Sequence, residues 1–139
     1  MKTFAILGRQ PKIGMAELES LYGADSVAVF SDSCSFVKPE IDYRASLRLG
    51  SVIKVGQILE IGTYTNWQLV SERVIATFKE LAKNGSAGKL TIGTSVYGLN
   101  IKPTEIENTG LTVKRTLKKA GFSIRLVPNK QASLSTAQV

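Results

Sequence analysis

The segment "TGLTVKRTLKKAGFSIRLVPNK", residues 109–130, carries a helix pattern and a strand pattern joined at a glycine. Residues 109–120 read as a helix, in which each residue advances about 100°. With Leu111 at zero, Lys114, Lys118, Arg115 and Lys119 fall at about 300°, 340°, 40° and 80°, one contiguous basic arc. Thr116, Ala120, Val113 and Leu117 occupy the opposite side, from about 140° to 240°. Gly121 suits the left-handed stop that ends such a helix. Phe122 to Val127 then alternate as a strand whose Arg125 adds to the positive field, and Pro128 closes it. Asn129 and Lys130 follow in a polar loop, where side chains and backbone amides suit phosphate oxygens.

Working outward, the same region holds the surplus charge of the whole chain. The formal net charge is +7. Residues 1–60 carry seven Lys/Arg against seven Asp/Glu, whereas residues 61–139 carry eleven against four. Six of the cations lie between Lys114 and Lys130, a stretch without an acid. A solvated helix face ordinarily intersperses acids, and cations in a last turn also gain from the helix dipole. Here Lys114 and Lys118 are a like-charge pair at four-residue spacing, costing a few tenths of a kcal/mol. That repulsion points to a bound polyanion, with nucleic acid first among the candidates.

Composition excludes more chemistry than it supplies. There is no histidine and one cysteine, so an ordinary zinc site and any Ser-His-Asp or Cys-His mechanism within the chain are ruled out. Cys34 reads as a small buried hydrophobe. The acids lie apart, on helix surfaces and turns; Glu17 and Glu19 cannot share a helix face, and Glu105 and Glu107 flank Ile106 just before the basic helix. No apolar run approaches the roughly twenty residues of a membrane span, and Gly8 and Arg9 interrupt the opening too early for a signal-peptide core, so a cytoplasmic location is expected.

Along the rest of the chain strands and helices alternate. Lys2–Gly8 reads as a strand and Pro11–Tyr22 as a helix, with Ile13, Met15, Leu18, Leu21 and Tyr22 facing inward and Gly23 as its stop. Ser26–Phe30 and Ser33–Lys38 form a hairpin around Ser31 and Asp32. Asp42 caps a short helix from Tyr43 to Leu49, and Val52–Ile61 is a long strand interrupted by Gly56. The order is βαββαβ, the ferredoxin-like arrangement of an α+β fold. A second, α/β unit begins near residue 62. Thr65 or Asn66 caps a helix to Asn84 with Trp67, Val70, Val74, Phe78 and Leu81 inward, and Lys89–Tyr97 follows as a half-buried strand. Tyr97 lies on the alternate face from Leu90, Ile92 and Val96. Ser133–Val139 reads as another strand, cut inside the element, and the chain is expected to be a fragment. The turn Gly8–Gly14 does not have the spacing of a dinucleotide or P-loop, and Pro11 removes an amide that such a site needs, leaving Arg9 as an auxiliary phosphate contact.

The stretches "ILGRQPKIGMAELESLYG", "SVIKVGQIL" and, above all, "LTVKRTLKKAGFSIRLVPNKQASLSTAQV" resemble the N-terminal part of THUMP-containing tRNA guanosine N2-methyltransferases. The resemblance implies a ferredoxin-like domain over residues 1–61 and a THUMP RNA-binding domain over 62–139, truncated at its end. It further implies that the pair docks tRNA by its acceptor stem and 3′ CCA end. The S-adenosylmethionine site and the methyl transfer would belong to a following C-terminal domain absent from this chain. The expected RNA-binding residues are Lys114, Arg115, Lys118, Lys119, Arg125, Asn129 and Lys130, with the helical lysines on phosphates and Arg125 to Lys130 toward the RNA end.

No glycine-rich cofactor loop or Asn/Asp-Pro-Pro-Tyr-like motif is present, so no catalysis is expected from the chain itself. Its mechanism would be positioning of the RNA by phosphate neutralisation and counterion release. The few aromatics, mostly in core-like positions, argue against a general single-strand binder. The thiouridine synthetases, which share the THUMP domain, and a stand-alone RNA-binding adaptor are the alternatives. A small ferredoxin-like acyl-phosphate hydrolase ranks last, for want of an Arg/Asn pair in a glycine-rich loop.

Overall fold

The computed structural model of the chain describes residues 2–84 and 88–134, in an α+β arrangement. Two compact units divide it, Met1–Ile61 and Gly62–Val139. The expected strand over 133–139 falls almost wholly outside the described residues.

In the first unit β1 (Thr3–Leu7), α1 (Pro11–Tyr22), β2 (Val27–Ser31), β3 (Cys34–Val37), α2 (Tyr43–Ser46) and β4 (Val52–Gln57) follow in order, with a 3₁₀ turn at Ala24–Ser26 before β2. The strands form one sheet in the order β2-β3-β1-β4, every neighbouring pair antiparallel. The first strand of the chain is therefore interior, with Phe4 opposite Phe36 on one side and Gly56 on the other. Alternation sends Ala5, Leu7 and Val37 to the helical side of the sheet. There they join Leu18, Ile41 and Leu49 in a core flanked by Met15, Leu21, Tyr22, Val27 and Val55.

Local chemistry accounts for these elements and for three departures from expectation. Pro11 sits in the first turn of α1, and Asp42 caps α2 by accepting a hydrogen bond from the Ala45 amide at 2.7 Å. Ile13 is 49% exposed rather than inward. Gly14 takes the buried position, where an added Cβ would lie 3.0 Å from Leu7 Cδ2, so a side chain that is not there lets the helix approach the sheet. α2 is a single turn, and Leu49 reaches the core from the turn that follows. β4 stops at Gln57 instead of Ile61 because its partner ends: Ile58 still donates to the Lys2 carbonyl, and beyond it Leu59 and Ile61 are exposed.

The second unit contains α3 (Trp67–Asn84), β5 (Lys89–Ile92), α4 (Pro103–Lys119) and β6 (Ser123–Leu126), with β5 and β6 paired in parallel. Asn66 is the residue that caps α3, its Oδ1 accepting from the Leu69 amide at 3.0 Å. The core is Val113, Leu117, Phe122 and Ile124, packed against Val74, Ile75, Phe78, Ala82 and Ile92. Leu81, expected inward, is 46% exposed, and Leu90 is also exposed. β5 ends at Ile92 because residues 94–97 run beside the segment after β6: the Val96 amide donates to the Ala132 carbonyl and the Leu134 amide to Ser95 Oγ. No helix among the described residues is long and apolar enough to cross a membrane.

Candidate nucleic-acid interface

The basic helix begins six residues earlier than its periodicity suggests. Pro103 occupies its first turn, and Glu105, far from preceding the helix, lies within that turn and reaches back to the Lys102 amide at 3.3 Å. The buried positions are Ile106, Thr109, Gly110, Val113 and Leu117, a continuous helical stripe. Two of them are not apolar, which hides the pattern. Thr109 satisfies its hydroxyl on the Glu105 carbonyl and on Ser71 of α3, at 3.0 and 2.9 Å. At Gly110 the side chain of Leu126 fills the space, 3.0 Å from where a Cβ would stand.

This stripe fixes the direction of the cations. α4 turns its Thr109 edge to α3 and its Gly110 edge to β6. Arg115, Lys118 and Lys119 are exposed on the side away from both, while Lys114 is half-buried at the edge of the stripe. The helix ends in a Schellman motif: Gly121 has φ 92°, its amide donates to the Lys118 carbonyl and the Phe122 amide to the Leu117 carbonyl, both at 3.1 Å. Phe122 and Leu117 then meet in the core, anchoring the end that carries Lys118 and Lys119.

Arg125 does not join that face. Ile124 and Leu126 point to α4, so alternation directs Arg125 to the opposite side of the two-stranded sheet, where it is exposed. Its cross-strand partner is Thr91, and Lys89, opposite Ser123, shares the same outer face. Lys89 is a cation that sequence alone does not associate with Arg125; the parallel register does. Lys130 is exposed beyond the far end of β6, so it is separated from Lys118 and Lys119 by the length of that strand.

Asn129 corrects the expectation of a solvent-facing contact. It is 9% exposed, and its Nδ2 donates to the Thr94 and Gln131 carbonyls at 2.8 and 3.3 Å. The side chain pins the loop to the segment after β5, which leaves Lys130 to project from a fixed base. Tyr97 is half-buried.

Electrostatically the face of α4 is uncompensated. Among the described residues, none of Lys114, Arg115, Lys118, Lys119, Arg125 and Lys130 is held in an ion pair. On α3 the charges are interleaved instead, and Lys83 meets Glu80 at 2.7 Å, holding that carboxyl below the usual range. The groove between α3 and α4, about 280 Å³ and bordered by Trp67, Gln68, Glu72, Glu105 and Asn108, carries carboxylates and is the wrong sign for phosphate.

Elsewhere the chemistry is structural. Glu17 receives the Gly50 and Ser51 amides at 2.9 and 2.8 Å, tying α1 to the entry of β4, a role that spacing on the helix does not reveal. Cys34 is buried, and burial pushes its thiol up. No group of His, Cys, Asp and Glu among the described residues is arranged to hold a metal. At the β1–α1 turn the Gly8 amide is committed to the Ser51 carbonyl, the Ile13 and Gly14 amides bond the Gln10 carbonyl, and Pro11 has no N–H, which leaves few backbone donors for a phosphate. Arg9 is exposed beside it. Comparison of the chain with protein-family models, with curated proteins and with solved structures gave no match.

Proposed function

We propose that this chain is the tRNA-docking part of an RNA-modifying enzyme, a ferredoxin-like unit followed by a THUMP-type unit, and that α4 seats the phosphates of the acceptor stem. The observation that carries this is the uncompensated face of Arg115, Lys118 and Lys119, anchored through the Schellman turn, in a sequence with no acid after Glu107. Cations held together without counter-charges lower their mutual repulsion by binding a polyanion and releasing its counterions. The element order and the sheet order β2-β3-β1-β4 of the first unit support the ferredoxin-like assignment.

The work done is positioning. Phosphate contacts fix the register and orientation of an RNA without reading its bases, so a distant guanosine can be held for a catalytic domain elsewhere in the parent protein. That domain would supply the S-adenosylmethionine chemistry of a tRNA guanosine N2-methyltransferase. Because Arg125 and Lys130 lie apart from the helix face, we assign the main phosphate contacts to the helix, and to Lys130 a contact nearer the 3′ end.

The test is fluorescence anisotropy with a folded tRNA across a salt series, with the CCA end intact or trimmed. Binding is expected to weaken steeply with salt, to depend on CCA, and to collapse in Lys118→Glu/Lys119→Glu. Each phosphate that a variant no longer neutralises should flatten the slope of log K against log salt by about 0.7–0.9. Binding that ignores both CCA and the charge reversal would overturn the proposal.

A further inference from the structure

We propose that the face of the four-stranded sheet turned away from its helices is a stacking platform for unpaired RNA bases, built from Phe4, Phe36 and Phe30 and flanked by Lys2 and Lys38. The site is separate from α4 and does not depend on which RNA that helix seats. Three of the five phenylalanines are dispersed along the sequence, and the strand order gathers them.

The helices of the unit pack on the face of Ala5, Leu7 and Val37. Alternation therefore turns Phe4 and Phe36 to the other face, where they lie opposite each other on the two central strands, β1 and β3. From the edge strand β2, Phe30 stacks on Phe36, with ring centroids 4.4 Å apart and planes 25° from parallel. On the β4 side Gly56 makes room for the Phe4 ring, since an added Cβ would stand 2.7 Å from Phe4 Cε1. The next pair along this face, Ile6 opposite Cys34, is buried. Phe4 and Phe36 are half-buried and Phe30 is 60% exposed, so aromatic surface is presented from β2 across to β1. A solvated sheet face ordinarily reads polar, yet none of the four strands carries an acid, and Lys54 is their single charged residue. An exposed apolar patch with a polar rim marks a binding site.

Charge decides the occupant. One step beyond Thr3 and Val37, the same register sets Lys2 opposite Lys38, both exposed and on the aromatic face. Like charges directly opposite are destabilising, and among the described residues neither lysine is held in an ion pair. Glu40, the acid nearest to Lys38 in the chain, is turned to Gln57 instead, accepting from its Nε2 at 2.8 Å. Two residues along a strand span about 7 Å, so these lysines reach the phosphate of a nucleotide whose base lies on Phe4 or Phe36. Rings that take a base beside cations that take its phosphate suit an unpaired nucleotide, and aromatics on a four-stranded sheet stack two or three bases in this way. An apolar protein surface would cover the rings and leave the lysine pair unneutralised.

The experiment is fluorescence anisotropy of the full chain with a labelled oligo(A) octamer, beside an abasic strand of the same length and charge. The octamer is expected to bind about tenfold or more tightly than the abasic strand. Phe36→Leu and Phe30→Ala should each weaken octamer binding about fivefold or more, the loss of one stacked base, and leave the abasic strand unchanged. Phe30→Ala removes an exposed side chain and should keep the melting curve of the wild type, so its loss reads stacking rather than folding. The ratio between the two strands should persist in Lys118→Glu/Lys119→Glu, which separates this site from the helix face. Equal affinity for the octamer and the abasic strand overturns the proposal, as does octamer binding that ignores both phenylalanine substitutions. An octamer that binds without shifting the amide resonances of β1 and β3 overturns it as well.

Discussion

In residues 1–61 the charges balance and the sheet is antiparallel, with its central strand β1 paired to β3 and β4, both distant in sequence. Among the described residues of 62–139 the strands form a single parallel pair, and the surplus charge is concentrated on one helix and the strand and loop after it. The first unit spends its polar groups internally: the Glu17 carboxylate is consumed by two amides. The second leaves Arg115, Lys118 and Lys119 without ion-pair partners among the described residues and relies on the buried stripe from Ile106 to Leu117 to hold them in place. Charge left unneutralised is tolerable where the element carrying it is anchored by apolar packing on its other side.

The largest expected effect tests whether each core serves its own unit. Leu18→Ala in the first, where the side chain is wholly buried, and Leu117→Ala in the second should each cost about 2–5 kcal/mol in urea unfolding. Hydrogen exchange should lose protection mainly in the unit that carries the substitution. Equal loss in both would break the comparison.

Next is the charge contrast. Lys118→Glu/Lys119→Glu should weaken tRNA binding about tenfold or more, about 1.4 kcal/mol. Lys12→Glu/Arg44→Glu, the same change of charge on the balanced unit, should alter it by about twofold or less at equal salt. Equal losses would mean a diffuse field rather than a seat on α4.

The two reaching carboxylates sharpen the contrast further. Glu17→Gln removes charge-assisted bonds to two amides and should cost about 1–3 kcal/mol in urea unfolding. Glu105→Gln, with one exposed bond at 3.3 Å, should cost about 0.5 kcal/mol or less.

The smallest effect concerns Tyr22, whose buried hydroxyl has no hydrogen-bond partner. Burial, then the Asp42 charge, raises its pKa above the ordinary tyrosine value. Below that value the phenol is protonated in both states and its contribution is whole. As pH rises through it the unfolded chain ionises first, so stability falls until the higher folded pKa is passed. Tyr22→Phe should match wild type within a few tenths of a kcal/mol at neutral pH and lack this part of the alkaline loss, as read by melts at stepped pH.

Elements announced by apolar spacing or turn residues were legible in the sequence. The periodicity of Pro11–Tyr22, the hairpin around Asp32, the Asp42 cap and the Gly121 stop all lie where local chemistry puts them. The misses share a cause, since each depends on a partner remote in sequence. Gly14 and Gly110 are inward because Leu7 and Leu126 fill the space above them, and Thr109 because Ser71 takes its hydroxyl. β4 ends where β1 begins. In the candidate site the arc on α4 was legible because it is set by one helix. The divergence of Arg125 and the inward turn of Asn129 were not, because they follow from β6 packing on α4 and from a loop pinned to residue 94.

The interior place of β1 bears on synthesis and on trimming. β1 leaves the ribosome before both of its neighbours and finds its outer partner only when Gln57 has emerged, since Thr3 pairs with both Val37 and Gln57. Until then the nascent chain holds a hairpin and a helix around a strand with one side vacant, and the sheet closes late, as a unit. Removing the first seven residues would not shorten the sheet at a margin. It would take out its middle, leaving the β2–β3 hairpin on one side and a solitary β4 on the other.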